Sequence, residues 1–257
     1  MATINAKVKT RLIEATKRFK PIVSKAKSKD VNESDTVAII TDILADVFGY
    51  DKYSDITSEY AIKKTYCDLA IKINGQLTIL LEAKAAGLNL KESHIKQAVD
   101  YGANAGVDWV ILTNSVQWMV YRIIFGKPVV AELVYDFDFT EINTKKESDL
   151  ELLYYLTKES MTKAGKGSLD EFHSHKQMIN KFVVAQTLLS DPVLDAVRKT
   201  LKKVSPDVKG TNEEIYRIIN EEIIKRDVLD DEKTVAAKKM VSKALNAAKK
   251  ASTQSND

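Results

Sequence analysis

The sequence predicts an α/β fold: a mixed sheet flanked by helices, followed by an all-helical region. Three observations carry this. Runs of alternating apolar and polar residues mark strands between residues 56 and 139, and helical patterns at 32–48 and 91–105 bracket the first of them. Two of the runs flank Asn74-Gly75, a strong short-range hairpin signal. From Glu147 onward the apolar residues step by three and four instead of two. A run of strands interleaved with helices and then a run of helices is the pattern of a sheet-bearing core with a helical appendage.

In chain order, residues 4–28 carry Val8, Leu12, Ala15 and Phe19 at helical steps until Pro21 interrupts them. Between Lys7 and Lys29 lie nine basic residues against Glu14 alone, so residues 1–30 read as a basic helical arm. Its Lys17, Arg18 and Lys20 have two readings: contacts to a phosphate backbone, or a solvated helix face. Residues 32–48 form a helix capped by Asn32 or Ser34, with the stripe Val37, Ile40, Ile43, Leu44, Val47 and Phe48, and Gly49 as its stop. Glu33 sits in its first turn, where an acid complements the helix dipole. Residues 56–63 read as the first strand.

The hairpin at 66–84 sets a parity condition. Leu69, Ile71 and Ile73 alternate with Asp68, Ala70 and Lys72, and Leu77, Ile79 and Leu81 alternate with Thr78, Leu80 and Glu82. If the odd-numbered apolar residues of both strands share the core, paired residue numbers must have an even sum. Asp68, Glu82 and Lys84 then share the opposite face. A two-residue Asn-Gly turn pairs Ile73 with Gln76, an odd sum that splits them. The hairpin therefore needs a three-residue loop with Gly75 left-handed, or a bulge. Two carboxylates with an ammonium on one face suit Mg²⁺, which takes one or two carboxylates plus waters and substrate phosphate. Such an ion activates water and polarises a phosphoryl oxygen, while Lys84 orients the water or offsets developing charge. The competing reading is a solvated strand face with ordinary ion pairs. The apolar run Ile79-Leu80-Leu81 argues against it, because it marks a central strand with a charge at its end.

Gly87 and Asn89 break the chain before the helix at 91–105, which buries Ile95, Ala98, Val99 and Gly102 and projects Gln97 and Tyr101 from one face. Strands follow at 107–113 and 116–123 around the Asn114-Ser115 turn, and another at 129–139. Trp109 and Trp118 read as core residues rather than a base-stacking platform. These elements make residues 31–140 the core domain. Residues 147–245 form the helical region: Leu150, Leu153, Tyr154 and Leu156 in one helix ended by a loop at 165–168, one helix over 169–189, one opened by Asp191-Pro192, and one opened by the capping box Thr211 to Glu214. The Lys-, Ala- and Ser-rich tail is a frayed helix or disordered, with disorder expected over 246–257. His173 and His175 read as surface residues.

A net charge of +3 does not by itself require a nucleic-acid partner. The single cysteine, Cys67, excludes an internal disulfide and fits a reducing cytoplasm. No signal peptide, membrane span, Cys/His zinc cluster, Gly-rich phosphate loop or Walker lysine is present, so neither a membrane nor a nucleotide cofactor is expected.

A helix, a three-strand meander with Asp68 on its second strand and Glu82-Ala83-Lys84 on its third, then a helix, resembles the core of the PD-(D/E)XK nucleases. Glu33 and the Gln97/Tyr101 pair narrow the resemblance to the N-terminal nuclease domain of the type I restriction enzyme motor/restriction (R) subunit and its stand-alone relatives. The runs WVILTNSVQWMVYR and NKFVVAQTLLSDPVLDAVRKTLKKVSP are similar to the same group. The resemblance implies Mg²⁺-dependent hydrolysis of DNA phosphodiesters, endonucleolytic and of restriction type, with Mn²⁺ able to substitute. It implies Asp68, Glu82 and the Ala83 carbonyl as metal ligands, Lys84 as the residue that positions or activates water, Glu33 as an assistant, and Gln97 and Tyr101 as DNA contacts. The chain departs from the family by carrying Cys67 where Pro precedes the Asp, and by lacking the helicase motor, so ATP-driven translocation is not expected of it. Two further readings compete: a nuclease-fold DNA-binding module that acts through a protein partner without efficient cutting, and a homo-oligomer assembled through the C-terminal helices.

Overall fold

A computed structural model describes residues 3–62, 65–162, 168–207 and 209–254. The chain divides into two compact units, Met1–His173 and Ser174–Asp257.

The first unit is built on a six-stranded mixed sheet whose order follows the sequence. Its strands are β1 (Ile56–Ile62), β2 (Thr65–Ile73), β3 (Gln76–Ala83), β4 (Trp109–Thr113), β5 (Gln117–Ile124) and β6 (Val130–Asp138). Every neighbouring pair is antiparallel except β3 and β4, which run parallel. Parallel neighbours need a crossover, and helix α3 (Glu92–Ala105) supplies it. Helices α1 (Ala6–Ser28) and α2 (Glu33–Asp46) precede the sheet, and α4 (Glu147–Tyr154) and α5 (Lys158–Met161) follow it.

The sheet buries both faces. On one, Leu69, Ile71, Ile79, Leu81, Ile111 and Trp118 pack with Leu12 and Phe19 of α1, Ile40 and Ile43 of α2, and Leu150 and Leu153 of α4. On the other, Ala70, Leu80, Val110, Leu112 and Ile123 pack under Ile95, Ala98 and Tyr101 of α3. Each fully buried Leu, Ile or Phe contributes about 1.5–3 kcal/mol of apolar transfer. That explains why β3, buried from Ile79 through Ala83, sits in the middle of the sheet.

Three expectations are corrected here. Residues 1–30 are no free arm: α1 runs through the exposed Pro21 without stopping, because the stripe Val8, Leu12, Ala15, Phe19, Val23 and Ala26 is buried on both sides of it. The core does not end near residue 140. Leu150, Leu153, Tyr154, Tyr155, Leu156 and Leu169 belong to its main apolar cluster, so the first unit continues through α4 and α5 to His173. The single helix expected over 169–189 is two, α6 (Leu169–Met178) and α7 (Lys181–Leu188), because the Asn180 side chain accepts from the N–H groups of Phe182 and Val183 and starts a new helix. Lys63, the expected end of the first strand, and residues 165–167 of the expected loop lie outside the described residues.

The second unit continues with α8 (Asp191–Val204), α9 (Asn212–Ile218) running into a π-helical turn (Ile219–Ile223), α10 (Arg226–Leu229) and α11 (Glu232–Gln254). Leu194, Ile215 and Ile219 form its small core with Leu189, Val197 and Ile224. The capping box forms: Glu214 N–H donates to Thr211 Oγ1, and Thr211 N–H donates to Glu214 Oε2. Among the described residues, no helix is long and apolar enough to cross a membrane.

Candidate active site

The turn between β2 and β3 has two residues, with Asn74 at φ 52° and Gly75 at φ 78°, the pair of positive values a type I′ hairpin turn requires. It pairs Ile73 with Gln76 and Lys72 with Leu77, the odd-sum register. The register then shifts, and Ile71 pairs with Ile79, Ala70 with Leu80 and Leu69 with Leu81. Thr78 is the extra residue, a bulge whose hydroxyl donates to the Gln76 carbonyl at 3.0 Å. The bulge, not a longer loop, restores the even sum. Leu69, Ile71, Ile79 and Leu81 consequently share one cluster, while Ala70 and Leu80 lie in the other.

Beyond Leu69 the regular alternation of β2 lapses. Cys67 packs into the α3-side cluster and its thiol donates to the Leu81 carbonyl at 3.0 Å. Asp68 turns toward β3, where Oδ2 accepts from the Ala83 N–H at 2.7 Å. On the other flank, Ala83 pairs with Thr113 of β4 and the Lys84 N–H donates to the Thr113 carbonyl at 2.9 Å. The end of β3 is therefore held from both neighbours, and Glu82, Ala83 and Lys84 are fixed relative to Asp68.

Glu82 is 3% exposed. Its Oε1 accepts from Lys84 Nζ at 2.8 Å, and its Oε2 is buried with no hydrogen-bond partner. Lys84 Nζ also donates to the Ala83 carbonyl at 2.8 Å and lies 3.6 Å from Glu33 Oε2. Glu33 arrives because Asn32 caps α2, accepting from the Asp35 N–H at 2.9 Å, and because the Ala86 N–H donates to the Val31 carbonyl, tying the chain after β3 to the entry of α2. The structure thus gathers Asp68, Glu82, Lys84 and Glu33, drawn from two strands and a helix, at one end of the sheet.

Charge is crowded there. Burial pushes the Glu82 carboxyl above the ordinary glutamate value; the Lys84 bond pulls it back in part, and Asp68 and Glu33 push it further up. For Lys84, burial acts to lower its pKa, but the hydrogen bond and charge of Glu82, with Glu33 and Asp68, outweigh it and raise the net value. The Cys67 thiol is pushed up to about 12, first by burial and then by Glu82 and Asp68.

Gln97 and Tyr101 form a pair in which the Gln97 amide donates to the Tyr101 hydroxyl at 2.5 Å. Tyr101 is buried against the sheet and Gln97 is exposed. Helix α3 lies close to the sheet because Gly102 has no Cβ, which would meet Ile123 and Val110. The pair therefore stands on the helix covering the Leu80 face of β3, and its hydrogen bond is internal to that helix. Arg18 and Lys20 have partners within the chain: Arg18 bridges Asp46 at 2.5 Å, and Lys20 donates to the Ile142 carbonyl at 2.7 Å. Lys17 is exposed on α1.

Some contacts at the site have no signature in the sequence. Asp68 binding a backbone N–H carries no residue-type signature. Nor was Asn114 recognised as more than a turn residue, although its side chain donates to the Leu88 carbonyl and accepts from the N–H groups of Val116 and Gln117, pinning the chain after β3 to the β4–β5 turn. Trp118 is fully buried and stacks on Phe137, whereas Trp109 carries the Arg122 guanidinium on its face at 4.9 Å. His175 is exposed; His173 is half-buried, edge-on to Trp109 and 3.3 Å from Glu132.

Among the described residues, no group of three or more His, Cys, Asp or Glu side chains is arranged to hold a metal. The donor set is instead two carboxylates, Asp68 and Glu82, with the Ala83 carbonyl between them in sequence. A buried carboxylate oxygen without a partner fits a cation, since an uncompensated charge in that position is costly. All-oxygen donors with few carboxylates match Mg²⁺, which keeps several of its waters.

A family model described as the type I restriction enzyme R protein N terminus (HSDR_N) matches residues 38–150. The chain resembles that domain over a stretch that holds the whole sheet and α3, with Asp68, Glu82, Lys84, Gln97 and Tyr101, and that begins after Glu33. No curated protein and no solved structure matches the chain.

Proposed function

We propose that this protein is a divalent-cation-dependent deoxyribonuclease of restriction type, hydrolysing DNA phosphodiester bonds endonucleolytically. One observation carries the reading: Glu82 is buried at the end of the central strand with one oxygen unpartnered, beside Asp68 and Lys84. A buried acid with an unmet oxygen is destabilising, and such sites persist for chemistry. The similarity to a restriction-enzyme domain supports the substrate class.

Asp68, Glu82 and the Ala83 carbonyl would hold Mg²⁺, or Mn²⁺ in its place. The ion would supply an activated water and a polarised phosphoryl oxygen. The remaining work falls to the chain. The Ala83 N–H holds Asp68 through Oδ2, so that carboxylate is oriented before substrate arrives. Lys84, kept as an ammonium by the surrounding carboxylates, donates to the attacking water or to a phosphate oxygen as charge builds on it. Glu33, 3.6 Å from Lys84, is a second carboxylate within ion-pair range of its ammonium. Gln97, oriented by Tyr101, offers its exposed amide to a DNA phosphate near the scissile bond. Lys17 adds a longer-range attraction to the backbone.

The test is a paired assay with wild type, Lys84→Ala and Asp68→Ala on duplex, single-stranded and methylated DNA with Mg²⁺ or Mn²⁺. Cutting by wild type and its loss in both variants, with unchanged circular dichroism, supports the reading. Equal activity in wild type and Lys84→Ala overturns it.

A second assignment rests on the other unit. Val204, Ile223, Ile179 and Val235 are 79%, 63%, 62% and 59% exposed, an unusual display for so small a core. We assign homo-oligomerisation to this unit; a monomer in sedimentation equilibrium at high concentration would remove it. The single, buried and reduced Cys67 fits a cytoplasmic setting.

A further inference from the structure

Lys84 makes two hydrogen bonds with its ammonium, and both go to oxygens the proposed function assigns to the metal: Glu82 Oε1 at 2.8 Å and the Ala83 carbonyl at 2.8 Å. A third acceptor, Glu33 Oε2, stands 3.6 Å away, beyond hydrogen-bond reach yet within ion-pair range. Glu33 is half exposed and makes no closer contact to Lys84, whereas Glu82 is buried. One cation thus already sits among the oxygens that a divalent ion needs, with a second carboxylate waiting beside it.

We propose that Lys84 is a built-in competitor of the metal: its ammonium fills the cation position in the metal-free protein and must leave the Ala83 carbonyl and Glu82 Oε1 for a divalent ion to bind, with Glu33 as the carboxylate that receives it. The inference rests on the proposed metal site. It adds that the site's affinity is set by an exchange of one cation for another, and that Glu33 is a positioning residue acting through Lys84. Like charges a few ångströms apart in a partly buried site repel strongly, so an ammonium and a divalent ion do not share these two oxygens. Transfer of the ammonium to Glu33 keeps it paired while it frees the Ala83 carbonyl. The exchange would free the Lys84 ammonium from the proposed ligands while keeping it at the site, where it could donate to a water.

The two residues therefore affect metal binding in opposite directions. Mn²⁺ binding to the full chain, without DNA, is measured by titration calorimetry and by loss of the free-ion electron paramagnetic resonance signal. Lys84→Met is expected to bind Mn²⁺ at least about tenfold more tightly than wild type, about 1.4 kcal/mol. Glu33→Gln is expected to bind it more weakly, because the displaced ammonium loses its acceptor. In the double variant the effect of Glu33→Gln should vanish. Circular dichroism melts establish that each variant is folded, and Lys84→Gln replaces Lys84→Met if the latter is not. Wild type that binds Mn²⁺ while Lys84→Met binds it equally or more weakly overturns the exchange and leaves the metal site standing. Wild type and Lys84→Met that both fail to bind Mn²⁺ overturn the site and the exchange together.

Discussion

Lys84→Met and Glu82→Gln should change the stability of the metal-free protein in opposite directions. Removing Lys84 leaves Glu82, 3% exposed, with neither oxygen bonded to a cation and with Asp68 and Glu33 still nearby. Removing one partner of a buried ion pair costs about 3–5 kcal/mol; with the Lys84 side chain 19% exposed, water can partly replace it, and we take about 3 kcal/mol. For a unit of this size that lowers Tm by about 6–12 °C. Glu82→Gln removes the desolvated charge but keeps an acceptor for Lys84, which retains Glu33 as a neighbour; a gain on the order of 1 kcal/mol is expected. The pH dependence follows from sign. Because the folded Glu82 pKa is raised, its favourable contribution is fully present below the unfolded glutamate pKa and is lost as pH rises through the raised folded value. The Lys84→Met penalty should therefore be largest near pH 8 and shrink toward pH 5, a window in which the ammonium itself does not titrate. Both tryptophans lie in the first unit, so fluorescence-detected urea unfolding reports that unit alone. Equal destabilisation by both variants, or a Lys84→Met penalty that does not vary with pH, would refute the reasoning.

Gly75→Ala should cost about 1–2 kcal/mol from backbone strain alone, since φ is +78° and open space surrounds the added methyl; Gly49→Ala should cost more in the same denaturation assay, because its Cβ would also fall 2.7 Å from the Arg11 guanidinium. Folded protein at pH 8 should leave Cys67 unmodified by iodoacetamide, its thiol being buried and pushed up to about 12, whereas urea-unfolded protein should react fully; mass spectrometry reads both. Neutralising Lys17, Arg18 and Lys20 together should flatten the salt dependence of DNA binding, and Lys20→Ala alone should lower stability by about 1 kcal/mol through its lost bond to the Ile142 carbonyl; an unchanged salt slope would remove α1 from the DNA surface.

The sheet and its central strand were legible because period-two alternation and an unbroken apolar run report burial directly, and Ile79 to Leu81 carry both. Parity limits the hairpin to a three-residue loop or a bulge, and the positive φ of Asn74 and Gly75 selects the bulge. It goes no further, since Thr78 has nothing in its side chain to mark it as the extra residue. Proline misled at position 21, where an exposed site lets the helix continue and burial on the opposite face outweighs one lost hydrogen bond. The boundary near residue 140 was hidden for a related reason: helical periodicity says that Leu150 and Leu153 are buried, not against what. At the site, residue types were readable, but the bonds Asp68 and Lys84 make to the backbone of Ala83 were not, because every residue type carries the same amide.

The Thr78 bulge has a consequence for how this hairpin can change length. One unpaired residue, four positions before Glu82, converts an odd register into an even one. Insertions or deletions of a single residue between Ile71 and Ile79 would therefore swap the two sides of β3 against β2, moving Leu81 to the side under α3 and sending Glu82 into the apolar layer beneath α1 and α2. Changes of two residues would preserve both. Tolerance to such edits should alternate with their length, so a ladder of loop variants scored for folding would read out the register as a repeating pattern of survivors and failures.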